Sequence, residues 1–108
     1  EYGGKIKETY GVPVSEIQEG IKHGVRKVNV DTDLRLAATA AVRKYFHENP
    51  AQFDPRKYLL LSKDAMKKVV KSRLEEFGTA GNASSINSIS LGEMATRYKS
   101  GEFKAVIN

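Results

Sequence analysis

Val25-Arg26-Lys27-Val28-Asn29-Val30-Asp31-Thr32-Asp33, residues 25–33, is the stretch on which the fold turns. Residues 25–30 have the β-branched content and alternation of a strand, with Val28 and Val30 on one face and Lys27, Asn29 and Asp31 on the other. Asp31-Thr32-Asp33 then supplies three candidate helix caps. Leu34, Ala38, Ala41, Val42 and Tyr45 follow at helical spacing until Asn49-Pro50 stops the run. Upstream, Pro13 to Gln18 predicts a helix entry in which Ser15 and Gln18 form a capping box, and Gly24 after His23 ends that helix. Helix, strand and helix with almost no loop between them is the order of a parallel α/β fold, in which every strand needs neighbours. With one convincing strand, either the fold is all-helical and the strand assignment fails, or the other strands lie outside these residues.

Downstream, Pro50 to Arg56 contains two prolines and reads as a surface connection leading to Lys57-Tyr58-Leu59-Leu60-Leu61. The next helix is predicted from near Ser62, with Met66, Val69, Val70, Arg73, Leu74 and Phe77 as its apolar-side stripe and Gly78 as its stop. Residues 78–87 form a Gly/Ser/Asn/Ala-rich loop. Ser90-Leu91-Gly92-Glu93 then repeats the capping-box pattern ahead of Met94 and Tyr98. The chain shows no internal repeat, heptad run or block of like charge.

The 108 residues are 40% hydrophobic and 29% charged, in the range of a soluble globular protein, which excludes a disordered tail or a collagen-like chain. A formal charge of +5 suits an anionic partner without naming one. The absence of cysteine removes disulfides, cysteine-ligated zinc and thiol catalysis from this segment. Its longest apolar stretch, Tyr58 to Leu61, is far short of the roughly 20 residues a bilayer span needs. No signal-peptide pattern opens the chain, so a soluble, cytoplasmic protein with no membrane partner is the expectation. Residue 1 is Glu, and residues 1–11 are polar with no apolar rhythm, so the sequence reads as cut from something longer.

Candidate chemistry gathers at Asn29 to Asp33, where a predicted strand ends and a helix begins. In open sheets and barrels this is the edge at which ligands bind. Free amides and the positive helix end there favour a phosphate. Asn29 offers a donor and an acceptor, Thr32 a hydroxyl and an amide, and Asp31 a group that orients a neighbour or accepts a substrate hydroxyl. On spacing alone, simple capping by Asp31, Thr32 and Asp33 is the commoner role.

The run Tyr10-Gly11-Val12-Pro13-Val14, then Glu16-Ile17-Gln18-Glu19-Gly20-Ile21, His23-Gly24-Val25 and Lys27 through Ala37, resembles the C-terminal portion of class II fructose-1,6-bisphosphate aldolases. Asp54-Pro55-Arg56 and Phe77-Gly78-Thr79-Ala80-Gly81 continue the likeness in order, so that it covers nearly the whole chain. The resemblance implies a zinc-dependent (β/α)8 barrel in which residues 25–30 are the last barrel strand. Residues 1–108 are then the C-terminal portion of one barrel domain, mostly helical, with the following helices and a C-terminal helical extension over 34–108. A complete barrel takes about 250 residues, which accounts for the missing strands.

The resemblance also implies reversible aldol cleavage of fructose 1,6-bisphosphate to dihydroxyacetone phosphate and glyceraldehyde 3-phosphate. Asn29 would approach the reacting three-carbon unit, and Val30 (through its backbone), Asp31 and Thr32 would help hold its phosphate. Arg56 would reach the second phosphate in the site of a partner subunit of a homodimer or larger homo-oligomer; a guanidinium fork matches phosphate oxygens and stays charged. Without the resemblance, a solvated surface arginine is an equal reading. The zinc would polarise the ketone and stabilise the enediolate. Its ligands and the acid/base carboxylate are expected before this segment, leaving no metal ligand and no assignable catalytic group here. His23 and His47 do not fall on the family's ligand positions. The rival reading is a small basic helical domain binding nucleic acid. It is disfavoured because the positive residues are interleaved with Glu and Asp and form no arginine-rich recognition face.

Overall fold

The computed structural model describes residues 2–7, 9 and 11–104. Among the described residues four α-helices form: α1 (Val14–Lys22), α2 (Thr32–Glu48), α3 (Pro55–Glu76) and α4 (Leu91–Ser100), with a short 3-10 turn at Ala83–Ser85. The C-terminal extension expected to reach residue 108 is described to residue 104; residues 105–108 lie outside the described residues.

Helices α2 and α3 pack as an αα-hairpin and are the main tertiary contact among the described elements. Their antiparallel course follows from which ends meet. Phe46, near the end of α2, sets its ring 5.0 Å from that of Tyr58 near the start of α3. At the other end Asp33 pairs with Arg73 across 40 residues of sequence. On α2 the positions expected for the inner face, Leu34, Ala38, Ala41, Val42 and Tyr45, are half-buried. On α3 the half-buried positions are Tyr58, Ser62, Ala65, Val69, Ser72, Arg73 and Glu76, followed by Phe77 at its C-cap. The expected stripe is therefore rotated: Met66, Val70 and Leu74 are exposed beside the face that meets α2.

Helix α3 begins earlier than the sequence suggests, at Pro55 rather than near Ser62. Asp54 caps it, its Oδ1 accepting from the Arg56 amide at 3.0 Å, and Pro55 takes the first helical position, where a missing N–H costs nothing. Helix α1 also begins early. Pro13 holds its N-cap position with no side-chain cap, so the Ser15–Gln18 box does not form, and the Gln18 side-chain Nε2 donates instead to the Glu76 carbonyl at 2.9 Å. The Ser90 cap forms as expected, with Ser90 Oγ accepting from the Glu93 amide at 3.1 Å.

Residues 25–31 carry no regular secondary structure, and no strand occurs among the described residues. The last barrel strand expected at 25–30 is thus absent as a strand. The physical reason is that a strand exists through ladder hydrogen bonds to a neighbour, and none of the described residues offers one. The alternation survives in burial: Val28 and Val30 are half-buried, Lys27, Asn29 and Asp31 exposed. The segment turns back on α1 through Gly24, whose φ of +103° suits glycine, and the Val25 amide donates to the Gly20 carbonyl at 3.0 Å. A side chain at Gly20 would crowd Val25 Cγ2, 3.2 Å from where its Cβ would sit.

No described residue is fully buried, and Leu91 and Phe53 remain 91% and 86% exposed. The radius of gyration is 20.3 Å, with a long axis of 62 Å. A compact domain of this length has a radius near 13 Å, so the described residues do not close a core around themselves.

Candidate functional site

The segment before α2 and the end of α3 meet because the hairpin is antiparallel, which brings Asp31, Thr32 and Asp33 to the same end of the molecule as Arg73 and Phe77. There they border a cleft of about 490 Å³ whose walls also include Gly11, Val12, Lys27, Asn29 and Val30. Asn29, Val30, Asp31 and Thr32 are thus gathered on one hollow. Beside it lies a second, more apolar hollow of about 500 Å³ lined by Ile21, Val28, Val70 and Leu74, among others.

Helix α2 carries no side-chain cap, so simple capping is not what the three polar residues do. The Asp31 carboxylate turns to Arg35, accepting from Nε at 2.9 Å. The Asp33 carboxylate turns to Arg73, accepting from Nη2 at 2.7 Å and Nε at 3.2 Å. The first intrahelical bonds run from the Leu34 and Arg35 amides to the Asp31 carbonyl. The Thr32 and Asp33 amides meet no acceptor among the described residues, as expected for the first turn of a helix. Lys27 Nζ donates to Asn29 Oδ1 and so adds a cation at the cleft wall.

Arg73 is the residue that sequence reasoning placed wrongly. It counts by spacing as part of an apolar stripe, yet its guanidinium joins two carboxylates, Asp33 on α2 and Glu76 on its own helix. Glu76 in turn receives the Ser72 hydroxyl at 3.0 Å, and its carbonyl receives Gln18 from α1. Three helices are tied at this point. Asp33 first, then Glu76, hold the Arg73 guanidinium above its ordinary range, and Arg73 holds the Glu76 carboxyl below the usual carboxylate range. A charged residue inside an otherwise apolar stripe was the available signal.

Arg56 lies elsewhere. It stands at the start of α3, 17 residues before Arg73, or about 26 Å along a helix at 1.5 Å per residue. Its side chain is 88% exposed and forks onto Asp54, with Nη2 to Oδ2 at 2.8 Å and Nε to Oδ1 at 3.0 Å. That pairing, with the Arg56 amide adding to it, holds the Asp54 carboxyl below its ordinary range. The chain does not itself bring Arg56 to the cleft.

The described residues do not fit a zinc site. No group of three His, Cys, Asp or Glu among them could hold a metal ion. His23 Nε2 lies 3.0 Å from Glu19 Oε1, and the His47 ring packs 5.3 Å from that of Tyr2. None of the described helices is long and apolar enough to cross a membrane.

The family model "Fructose-bisphosphate aldolase class-II" matches residues 7–82. The chain is 60% identical over all 108 residues to a fructose-bisphosphate aldolase of Pseudomonas aeruginosa and 61% identical over 108 residues to one of Stutzerimonas stutzeri. It is 58% identical over 107 residues, 99% of its length, to one of Xanthobacter flavus. It spans 30% of the length of each of these relatives, at their C-terminal end. The family is a TIM barrel and in general zinc-dependent. With most of the chain matched, and matched in the stretch that carries Asn29, Asp31, Thr32 and Arg56, the chain belongs to the class II fructose-bisphosphate aldolase family.

Proposed function

We propose that these residues supply substrate and phosphate binding to an aldolase that reversibly cleaves fructose 1,6-bisphosphate to dihydroxyacetone phosphate and glyceraldehyde 3-phosphate. The observation that carries this reading is the convergence of Asn29, Asp31 and Thr32 on one cleft at the start of α2. The Thr32 hydroxyl with the first α2 amides, and the Val30 backbone beside them, suit the phosphate of dihydroxyacetone phosphate, because a helix start presents unpaired N–H groups and a positive dipole end. The Asn29 side chain, carrying both a donor and an acceptor, orients the three-carbon unit. Asp31, turned toward Arg35, accepts from a substrate hydroxyl or orients its neighbour.

Arg56 binds the second phosphate of the bisphosphate in the site of another subunit of a homodimer or larger homo-oligomer. Its distance from the cleft in its own chain supports that assignment, as does the exposure of its guanidinium at a helix end, where only the neighbouring Asp54 holds it. Zinc ligands and the acid/base carboxylate come from other parts of the protein, which works in the cytoplasm without nucleic-acid or membrane partners. The segment alone is expected to be inactive.

Substitution in the full-length aldolase tests the reading. Asn29→Ala should lower kcat for cleavage by roughly a hundredfold, the usual scale for removing one oriented polar contact to the reacting unit. Wild-type kcat in that variant would remove Asn29 from the site.

A further inference from the structure

The two carboxylates that flank Thr32 pose an electrostatic problem for the anion site proposed above. Asp31 and Asp33 sit beside the amides that would receive a phosphate, and like charges at such separations repel. Each is turned away by an arginine: Asp31 by Arg35 from the same helix, and Asp33 by Arg73 from another. The two arginines differ in setting. The Arg35 side chain is 78% exposed, whereas that of Arg73 is 25% exposed and fixed at three points.

We infer that Arg73 is a positioning residue for phosphate binding: it holds the Asp33 carboxylate off the α2 N-terminus and compensates its charge, rather than meeting the substrate itself. The inference rests on the functional reading given above. A guanidinium has five N–H donors, and three of the Arg73 nitrogens are engaged with carboxylate oxygens. Its single positive charge faces two negative ones, Asp33 and Glu76, so Arg73 brings no surplus charge for a phosphate. Arg73 spends its fork on shaping the helix start, and through Glu76 and Gln18 it ties that start to α1 and α3.

The test is the dissociation constant of dihydroxyacetone phosphate for the full-length aldolase, with folding checked by circular dichroism. Arg73→Met should weaken binding about tenfold by leaving Asp33 uncompensated near the anion. Adding Asp33→Asn to Arg73→Met should restore the affinity to within about threefold of wild type, since the repelling charge is then gone. A role confined to packing would not be rescued by removing that charge. A double variant as weak as Arg73→Met, or an Arg73→Met variant with wild-type affinity, overturns the inference. Should Arg73→Met fail to fold, Arg73→Lys carries the test, because it keeps the charge but loses the fork. Its affinity should fall about threefold and recover with Asp33→Asn; unchanged affinity, or no recovery, overturns the inference. Thr32→Ala separates the two claims. If it weakens binding while the Arg73 variants do not, only the positioning role fails, and if it leaves binding unchanged, the phosphate site itself is misplaced.

Discussion

The two ends of α3 each carry an arginine paired with an aspartate, and the two pairs do different work. At the start of the helix, Arg56 forks onto Asp54, two residues away, and its side chain stays 88% exposed. At the end, Arg73 reaches Asp33 across 40 residues of sequence, binds Glu76 as well, and is three-quarters withdrawn from solvent. The first pair is local: it belongs to a helix cap and leaves the guanidinium at the surface. The second is tertiary, fixing the start of α2 against the end of α3 beside the cleft. Residue type and partner are the same in both. What separates an arginine able to meet a ligand from one that shapes a site is how many elements its partners come from.

The largest effect is expected from isolating the polypeptide. Since no described residue is buried, the 108 residues alone should show no cooperative thermal transition as a monomer and no cleavage of fructose 1,6-bisphosphate. Calorimetry and a coupled cleavage assay check this, and a sharp monomeric transition or turnover would contradict it.

Acid should act on the two arginine sites unequally. Pairing with the arginines lowers the carboxyls of Glu76 and Asp54 in the folded state. A lowered folded-state value means that the contribution is complete above the unfolded carboxylate range and is lost as pH falls through the folded values, that is, below about pH 4. In denaturant titrations of the full-length aldolase, Glu76→Gln should flatten the acid loss of stability more than Asp54→Asn does, because Glu76 shares the Arg73 guanidinium with Asp33 of α2 and so belongs to a cluster that ties helices together. Equal slopes in the two variants would remove the distinction between the local Asp54–Arg56 pair and the Arg73 cluster.

The smallest effect concerns α4, which takes no part in either pair. Ser90→Ala removes the one side-chain cap of that helix and should cost about 1 kcal/mol, read as faster amide exchange at Glu93 with the cleft untouched.

Much of this is legible in the sequence. The end of α1 at His23–Gly24, the span of α2 to Asn49, and the gathering of Asn29, Asp31 and Thr32 at one place all follow from local signals: a glycine, a proline stop and polar residues at a helix start. The strand at 25–30 was not settled by such signals, because alternation records which side chains are covered and not whether a partner ladder exists. The start of α3 is hidden because two prolines within six residues signal a break, although Pro55 directly after Asp54 is a helix opening. Ser15 lost its capping role because Pro13 opens α1 earlier, freeing Gln18 to reach Glu76. Arg73 was hidden because spacing assigns a residue to a face without saying which element lies opposite.

On the proposed function, the cleft at the start of α2 and the exposed arginine at the start of α3 serve different phosphates. This division is tested most directly by measuring the affinities of dihydroxyacetone phosphate and fructose 1,6-bisphosphate for full-length Thr32→Ala and Arg56→Ala aldolase. Thr32→Ala should weaken both ligands, whereas Arg56→Ala should weaken the bisphosphate about tenfold and leave dihydroxyacetone phosphate unchanged. Equal weakening of both ligands by Arg56→Ala would contradict the account.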